Sequence, residues 1–266
     1  MGTSVTPGKG NYANVNGLKM YYEIHGEGFP LVLIHGGGST IGTTFGRVLP
    51  ELAKTHKVIA VEMQAHGHTA DINRPLSFEQ DADDIAELLK QLKIEKADIF
   101  GFSNGASTTL EVAIRHPQLV NKIVVASTMY KMEGAQPWFP GMMQQATFEG
   151  MPQMLKDAFL QINPDTAALH AMYERDVTRM RNFKDIKEED IKAIKAPALI
   201  ICGDNDVNIP EHAVEMHRKI QNSKLAIFPG GHGDYIGEIT TVKPGTTNYP
   251  GLPVIEAFLK EENPKK

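Results

Sequence analysis

A serine hydroxyl attacks at neutral pH only when an imidazole takes its proton and a carboxylate fixes that imidazole's tautomer. This 266-residue chain carries all three groups in suggestive settings. Phe100-Gly-Phe-Ser103-Asn-Gly105 holds a serine between two glycines, where an apolar run gives way to a helical pattern. Small flanking residues are what a tight, strained turn needs if it is to present a side chain beside the positive end of a helix. Further along, Gly203-Asp-Asn-Asp206 and Pro229-Gly-Gly-His232 each follow an apolar run. The spacing makes Ser103 the candidate nucleophile, Asp206 the candidate acid and His232 the candidate base, with Asp204 as the alternative acid.

Those residues need a scaffold, and the pattern around them predicts one. Asn11 to Val15 and Leu18 to His25 alternate about Asn16-Gly17, a hairpin signal. Short continuous apolar runs follow at Leu31–Ile34, Val58–Val61, Ala97–Phe100, Ile123–Ala126, Ala198–Cys202 and Leu225–Phe228, as strands covered on both faces require. Helical patterns lie between them. Ser77 to Leu92 opens with Ser77 and Gln80 at capping-box spacing and places Ile85, Leu88, Leu89 and Leu92 on one face; Asn104 to His116 and Glu211 to Ile220 are two more. Alternating strands and helices imply an α/β fold with a mostly parallel, doubly wound sheet whose ligands bind at the carboxyl ends of the strands.

The triad order Ser, acid, His, the loop Gly203-x-x-Asp206-x-x-x-Pro210 and the pair Gly231-His232 resemble the α/β-hydrolase family from about Asn14 to Leu259. Some members carry the acid after the preceding core strand; here that position reads Ala126-Ser-Thr-Met129 and has no carboxylate, which favours Asp206. Leu33-Ile-His35-Gly-Gly-Gly38 resembles the family's oxyanion loop. The resemblance assigns the two oxyanion donors to the N–H groups of Gly37 and Asn104 and makes His35 a brace for the loop. Glu62-Met-Gln-Ala-His-Gly-His-Thr69 aligns with the family's Asp-x-Arg-Gly-x-Gly-x-Ser loop, but Glu62, Gln64, Ala65 and Thr69 depart from it. His66 and His68 have no carboxylate or cysteine pair at ligand spacing, so they read as loop residues, and no metal or other cofactor is expected.

Residues 129–195 break the alternation and read as an inserted helical cap between two core segments, 11–128 and 196–262, with 1–10 as a flexible leader. Met129, Trp138, Phe139, Met142 and Met143 are the candidate substrate-binding side chains, because methionine and aromatic groups make adaptable apolar pockets. Ordinary packing of cap on core is the alternative for each. The charged run Tyr173 to Arg181 reads as a solvated helix face, with Glu174 or Arg175 as the alternative substrate contact. Residues 237–247 form a long turn that borders either the pocket or an interface.

Composition narrows the ligand. A formal net charge of −5, without long basic runs, gives no footprint for nucleic acid or an anionic membrane surface. The single cysteine, Cys202, cannot form an intrachain disulfide and sits in an apolar run. Neither a phosphate-binding glycine loop nor a dinucleotide fingerprint is present. The N-terminal residues lack an apolar signal region and no membrane-spanning stretch follows, which predicts a cytoplasmic protein; the sequence is silent on oligomeric state. The expected activity is hydrolysis of carboxylic esters, or of lactones such as acyl-homoserine lactones, through an acyl-enzyme on Ser103. C–C bond hydrolysis or perhydrolysis by the same triad stays open, as does a non-catalytic small-molecule receptor on the same fold.

Overall fold

The computed structural model describes residues 10–262, so nine of the ten residues read as a flexible leader lie outside it. Asn16 and Gly17 take φ angles of 48° and 85° and close a hairpin between β1 (Gly10–Val15) and β2 (Leu18–His25). Six further strands follow: β3 (Phe29–Ile34), β4 (His56–Glu62), β5 (Ala97–Phe102), β6 (Val120–Ala126), β7 (Ala198–Gly203) and β8 (Ser223–Phe228). They form one sheet in the order β1-β2-β4-β3-β5-β6-β7-β8. The β1/β2 and β2/β4 pairs are antiparallel, and every pair from β4 to β8 is parallel.

The helices are α1 (Ile41–Phe45), α2 (Leu49–Leu52), α3 (Phe78–Gln91), α4 (Asn104–Arg115), α5 (Phe139–Gln145), α6 (Gln153–Ile162), α7 (Thr166–Arg181), α8 (Glu188–Ala193), α9 (Pro210–Lys219) and α10 (Gly251–Lys260). Alternate strand residues point to opposite faces, and the apolar core divides accordingly. Val32, Ile34, Ile99, Val125 and Ile200 pack against α3, α4, α8 and α9. Leu31, Leu33, Phe100, Val124 and Ile201 pack against α1, α2 and α10. This explains why β3 to β7 read as unbroken apolar runs: both faces are covered, whereas β8, expected to be covered likewise, is the edge strand and leaves Ile227 exposed.

At the start of α3, Ser77 Oγ accepts from the Gln80 N–H at 3.1 Å, but the Gln80 side chain turns away to donate to Asp84, so only half of the expected capping box forms. The short helices α1 and α2 and the C-terminal α10 left no clear sequence signal. Residues 129–195 contain α5 to α8 and two short 3-10 turns, Met132–Gly134 and Phe148–Gly150, and contribute no strand to the sheet. No helix of the described residues is long and apolar enough to cross a membrane.

Two glycines around Ser103 are set by backbone approach. A Cβ at Gly105 would stand 2.6 Å from the His35 carbonyl oxygen and closer still to that of Ile34, and a Cβ at Gly101 would overlap the Gly105 carbonyl. The turn carrying Ser103 is thus wedged against the loop after β3. Gly105→Ala should lower unfolding stability by at least about 2 kcal/mol through overpacking, read from the denaturant midpoint; an unchanged midpoint would refute this account of the turn.

Candidate active site

Ser103 sits between β5 and α4 with φ 56° and ψ −121°, a conformation costly for a residue with a side chain. Hydrogen bonds on both sides hold it there: its N–H donates to the Ala126 carbonyl at 2.8 Å, and its carbonyl accepts from the Ala106 N–H at 2.9 Å. Ser103 and His232 line one cavity of about 800 Å³ between the sheet and residues 129–183.

The loops after β7 and β8 bring Asp206 and His232 together, with Nδ1 of the histidine 2.6 Å from Asp206 Oδ1. Asp206 is only 2% exposed. Its oxygens also accept from the Gly203 N–H at 3.0 Å, the Val207 N–H at 2.7 Å and Ser127 Oγ at 2.5 Å. Because Ser127 spends its one proton on the carboxylate, it accepts from the buried Tyr235 hydroxyl, 2.6 Å away. Ser127 has φ 56° and occupies the position after β6 where the sequence offered no acid. Its role as a donor to Asp206 was not legible there. Asp204 does not accept from the histidine; its side chain accepts from the Gly230 N–H at 2.9 Å and ties the two loops together.

Burial raises the Asp206 pKa, but the charge and hydrogen bond of His232, with those of Ser127 and Gly203, outweigh it and hold the carboxyl below its usual value. Burial pulls His232 down, and Asp206 more than reverses this, leaving the imidazole above its usual value.

The glycine loop after β3 faces Ser103. A Cβ at Gly37 would collide with the Asn104 side chain and approach Asp176 Oδ2 at 3.2 Å, which explains the absence of a side chain there. Neither the Gly37 N–H nor the Asn104 N–H donates to another backbone group; Asn104, as the first residue of α4, has one of the helix's free amides. His35 braces the loop. Its Nε2 accepts from the Met63 N–H at 3.1 Å, which places the proton on Nδ1 for the Gly36 carbonyl at 2.7 Å, and burial pushes its pKa down to about 3.

The run Tyr173 to Arg181 is not a solvated face throughout. Asp176 and Arg179 are each 8% exposed. Asp176 Oδ2 accepts from the Gly38 N–H at 2.5 Å and lies 2.8 Å from His66 Nε2, while Oδ1 accepts from Arg179 at 2.6 Å. Arg179 also reaches Asp81 of α3 at 2.8 Å. Burial opposes the charge on Asp176, but His66 and Arg179 override it and hold the carboxyl far below its usual value. Burial lowers His66, and Asp176 outweighs it to raise the imidazole. Two carboxylates and two cations thus balance between α7 and the core. The i, i+3 spacing of Asp176 and Arg179 was the available sequence signal, but a surface helix shows the same spacing.

Of the candidate substrate-binding residues, Met129, Phe139, Met142 and Met143 line the cavity. Trp138 does not: it is 52% exposed and packs edge-on against Phe139, because it lies just before α5 and points away from the core. The turn after Gly237 does border the cavity, through Glu238 and Thr240. Glu238 is 3% exposed and accepts from the Thr240 N–H at 2.8 Å. No Arg or Lys lines this cavity among the described residues, whereas Asp176 and Glu238 do. His66 and His68 engage Asp176 and Glu62 respectively, and no group of three or more potential ligands is placed to hold a metal among the described residues.

Residues 31–237 match the model of the alpha/beta hydrolase family. The chain belongs to this family. It is 30% identical over 250 residues to serine hydrolase BPHL of Homo sapiens, covering 86% of this chain and 81% of that protein. It is 27% identical over 238 residues to the 2-hydroxy-6-oxo-6-(2'-aminophenyl)hexa-2,4-dienoic acid hydrolase of Metapseudomonas resinovorans, covering 82% of each. Among solved structures, the enol-lactonase of Burkholderia xenovorans LB400 superposes with a TM-score of 0.71 at 22% identity, covering 94% of this chain and 100% of that one. At that identity the likeness speaks for the α/β-hydrolase fold.

Two outcomes follow. An NMR titration should place the His232 midpoint above 6.5, and Asp206→Asn should move it below that value, since burial then acts unopposed; a midpoint unmoved by the substitution would contradict the pairing. Asp176→Asn should destabilise the protein by about 3 to 5 kcal/mol, the cost of leaving a buried cation without its partner. Denaturant unfolding measures this, and a loss under about 1 kcal/mol would show the cluster to be well hydrated.

Proposed function

We propose that the protein is a serine-dependent hydrolase of carboxylic esters or lactones with apolar acyl groups. The observation that carries this reading is the Asp206–His232 pair opening onto the same cavity as a serine held in a strained turn. In the proposed reaction His232 takes the Ser103 proton as Ser103 attacks the carbonyl carbon. The Gly37 and Asn104 N–H groups hold the oxyanion. His232 then returns the proton to the departing alkoxide, leaving an acyl-enzyme, and water activated by His232 releases the carboxylic acid. Met129, Phe139, Met142 and Met143 would surround the acyl group.

C–C bond hydrolysis is the second reading, supported by the dienoic acid hydrolase among the relatives. An acid of that kind carries a carboxylate, and an anion taken from water needs a cationic partner. The cavity wall provides no Arg or Lys among the described residues. The lack of a lining Arg or Lys therefore favours a substrate without an anionic group, and with it the ester or lactone reading.

Hydrolysis of p-nitrophenyl esters from acetyl to decanoyl, together with one long-chain acyl lactone and one dienoate C–C substrate, tests the proposal. The wild type should turn over esters or the lactone in preference to the dienoate, and Ser103→Ala should lose at least about 10³-fold in kcat. Turnover of the dienoate alone would overturn the ester reading in favour of C–C hydrolysis. Absence of any turnover would leave a binding protein.

A further inference from the structure

A second cavity of about 610 Å³ lies beside the first, between α3 and α4 of the core and α7 with the segment that follows it. Ser107 and Phe183 belong to the walls of both. The wall the two cavities share lies along one face of α4. Ser103, Ser107 and Glu111 follow at intervals of four residues, so they form a row on the helix, with Glu111 about 12 Å along the axis from Ser103 at about 1.5 Å per residue. Ser103 and Ser107 face the first cavity, and Ser107 and Glu111 face the second.

Glu111 is an unusual group to find there. It is 9% exposed, lines the second cavity, and makes no hydrogen bond or ion pair among the described residues. Arg175, Arg179 and Lys184 also line this cavity, and the arginines near Glu111 make their ion pairs to other carboxylates. Arg115, on its own helix, pairs with Asp83 at 2.7 Å; Arg175 pairs with Asp71 at 2.8 Å; Arg179 pairs with Asp81 and Asp176. Lys184 is exposed at the rim. The carboxylates that act on Glu111 are Glu79 and Asp83 from α3 and Asp190 from α8, and Glu174 of α7 also lines the cavity. Burial first, then Glu79, pushes the Glu111 carboxyl up to about 7. Phe78 and Phe183, edge to face at 6.1 Å, supply aromatic wall. A buried carboxyl without a hydrogen bond or ion pair, beside aromatic rings and with the arginines of its cavity wall paired to other carboxylates, is a setting in which an organic ammonium ion replaces its lost hydration.

We propose that this second cavity is the distal chamber of the substrate site, and that Glu111 there receives an ammonium group borne on an acyl chain whose carbonyl carbon lies at Ser103. The inference rests on the ester-hydrolase reading and narrows it to acyl groups with a cationic end. It is compatible with the first cavity, whose wall has no Arg or Lys among the described residues.

The experiment compares the p-nitrophenyl esters of 8-aminooctanoic acid and of nonanoic acid, its neutral counterpart of equal length, with wild type and Glu111→Gln. At pH 8, kcat/KM for the amino ester should exceed that for the neutral ester by about tenfold, the value of one charge contact worth about 1.4 kcal/mol. In Glu111→Gln the ratio should fall to about one. In the wild type it should also fall between pH 8 and pH 6 as Glu111 takes up its proton, while the amine stays charged across that range. A ratio near one in the wild type, or a preference that survives Glu111→Gln, would overturn the chamber and leave ester hydrolysis standing. Should neither ester turn over, the parent reading fails, and calorimetry with 8-aminooctanoate and nonanoate decides the chamber by itself. Binding of the amino acid that Glu111→Gln abolishes upholds it; equal binding of the two, or none, overturns it.

Discussion

The Asp206 carboxylate is buried in a setting that would otherwise neutralise it, and much of the architecture around the cavity supplies its donors. The Gly203 N–H comes from the end of β7, the Val207 N–H from the loop beyond, Ser127 Oγ from the end of β6, and His232 Nδ1 from the loop after β8. Three neighbouring parallel strands must therefore end at the same level for the charge to survive. The β6/β7 and β7/β8 registers provide this, pairing Ala126 with Ile201 and Gly203 with Phe228. A carboxylate so fixed holds the imidazole in one tautomer, its Nδ1 proton toward Asp206 and its Nε2 free to take a proton.

The second constraint lies at the opposite side of the cavity. Asp176 reaches from α7 to the Gly38 N–H, and so ties the segment covering the cavity to the glycine loop that faces Ser103. A carboxylate this close to the proposed oxyanion site would oppose the developing negative charge if it were not neutralised. His66 and Arg179 neutralise it, and Asp81 balances Arg179 in turn. Apolar packing reinforces the connection: Ala65, at φ 70° where the family usually has glycine, places its methyl in a cluster with Met151, Leu155, Met172 and Val177.

The sheet was legible because β3 to β7 are covered on both faces and read as apolar runs, and because Asn16-Gly17 marks its opening hairpin. The Ser103, Asp206 and His232 loops were legible because backbone geometry dictates their glycines and because they fall at strand ends. What escaped depends on long-range partners. Ser127 looked like a missing acid, since nothing local shows that its hydroxyl meets a carboxylate 79 residues away. Asp176 and Arg179 looked like surface charges, since their burial comes from Gly38, His66 and Asp81, far away in sequence. Trp138 looked like a pocket residue by type alone, and its orientation before α5 decides otherwise. Glu111 lies within a helix whose amphipathic pattern predicts the fold correctly while giving no sign of a cavity beside it.

The claim on which the rest stands is that Ser103 is the activated nucleophile of this site, and covalent labelling reads it directly. Incubation with an alkyl fluorophosphonate, followed by peptide mass spectrometry, should place one phosphonyl group on the peptide containing Ser103, with Asp206→Asn slowing the labelling by at least about 10³-fold. An unlabelled protein, or a label on another residue at full rate, would contradict it.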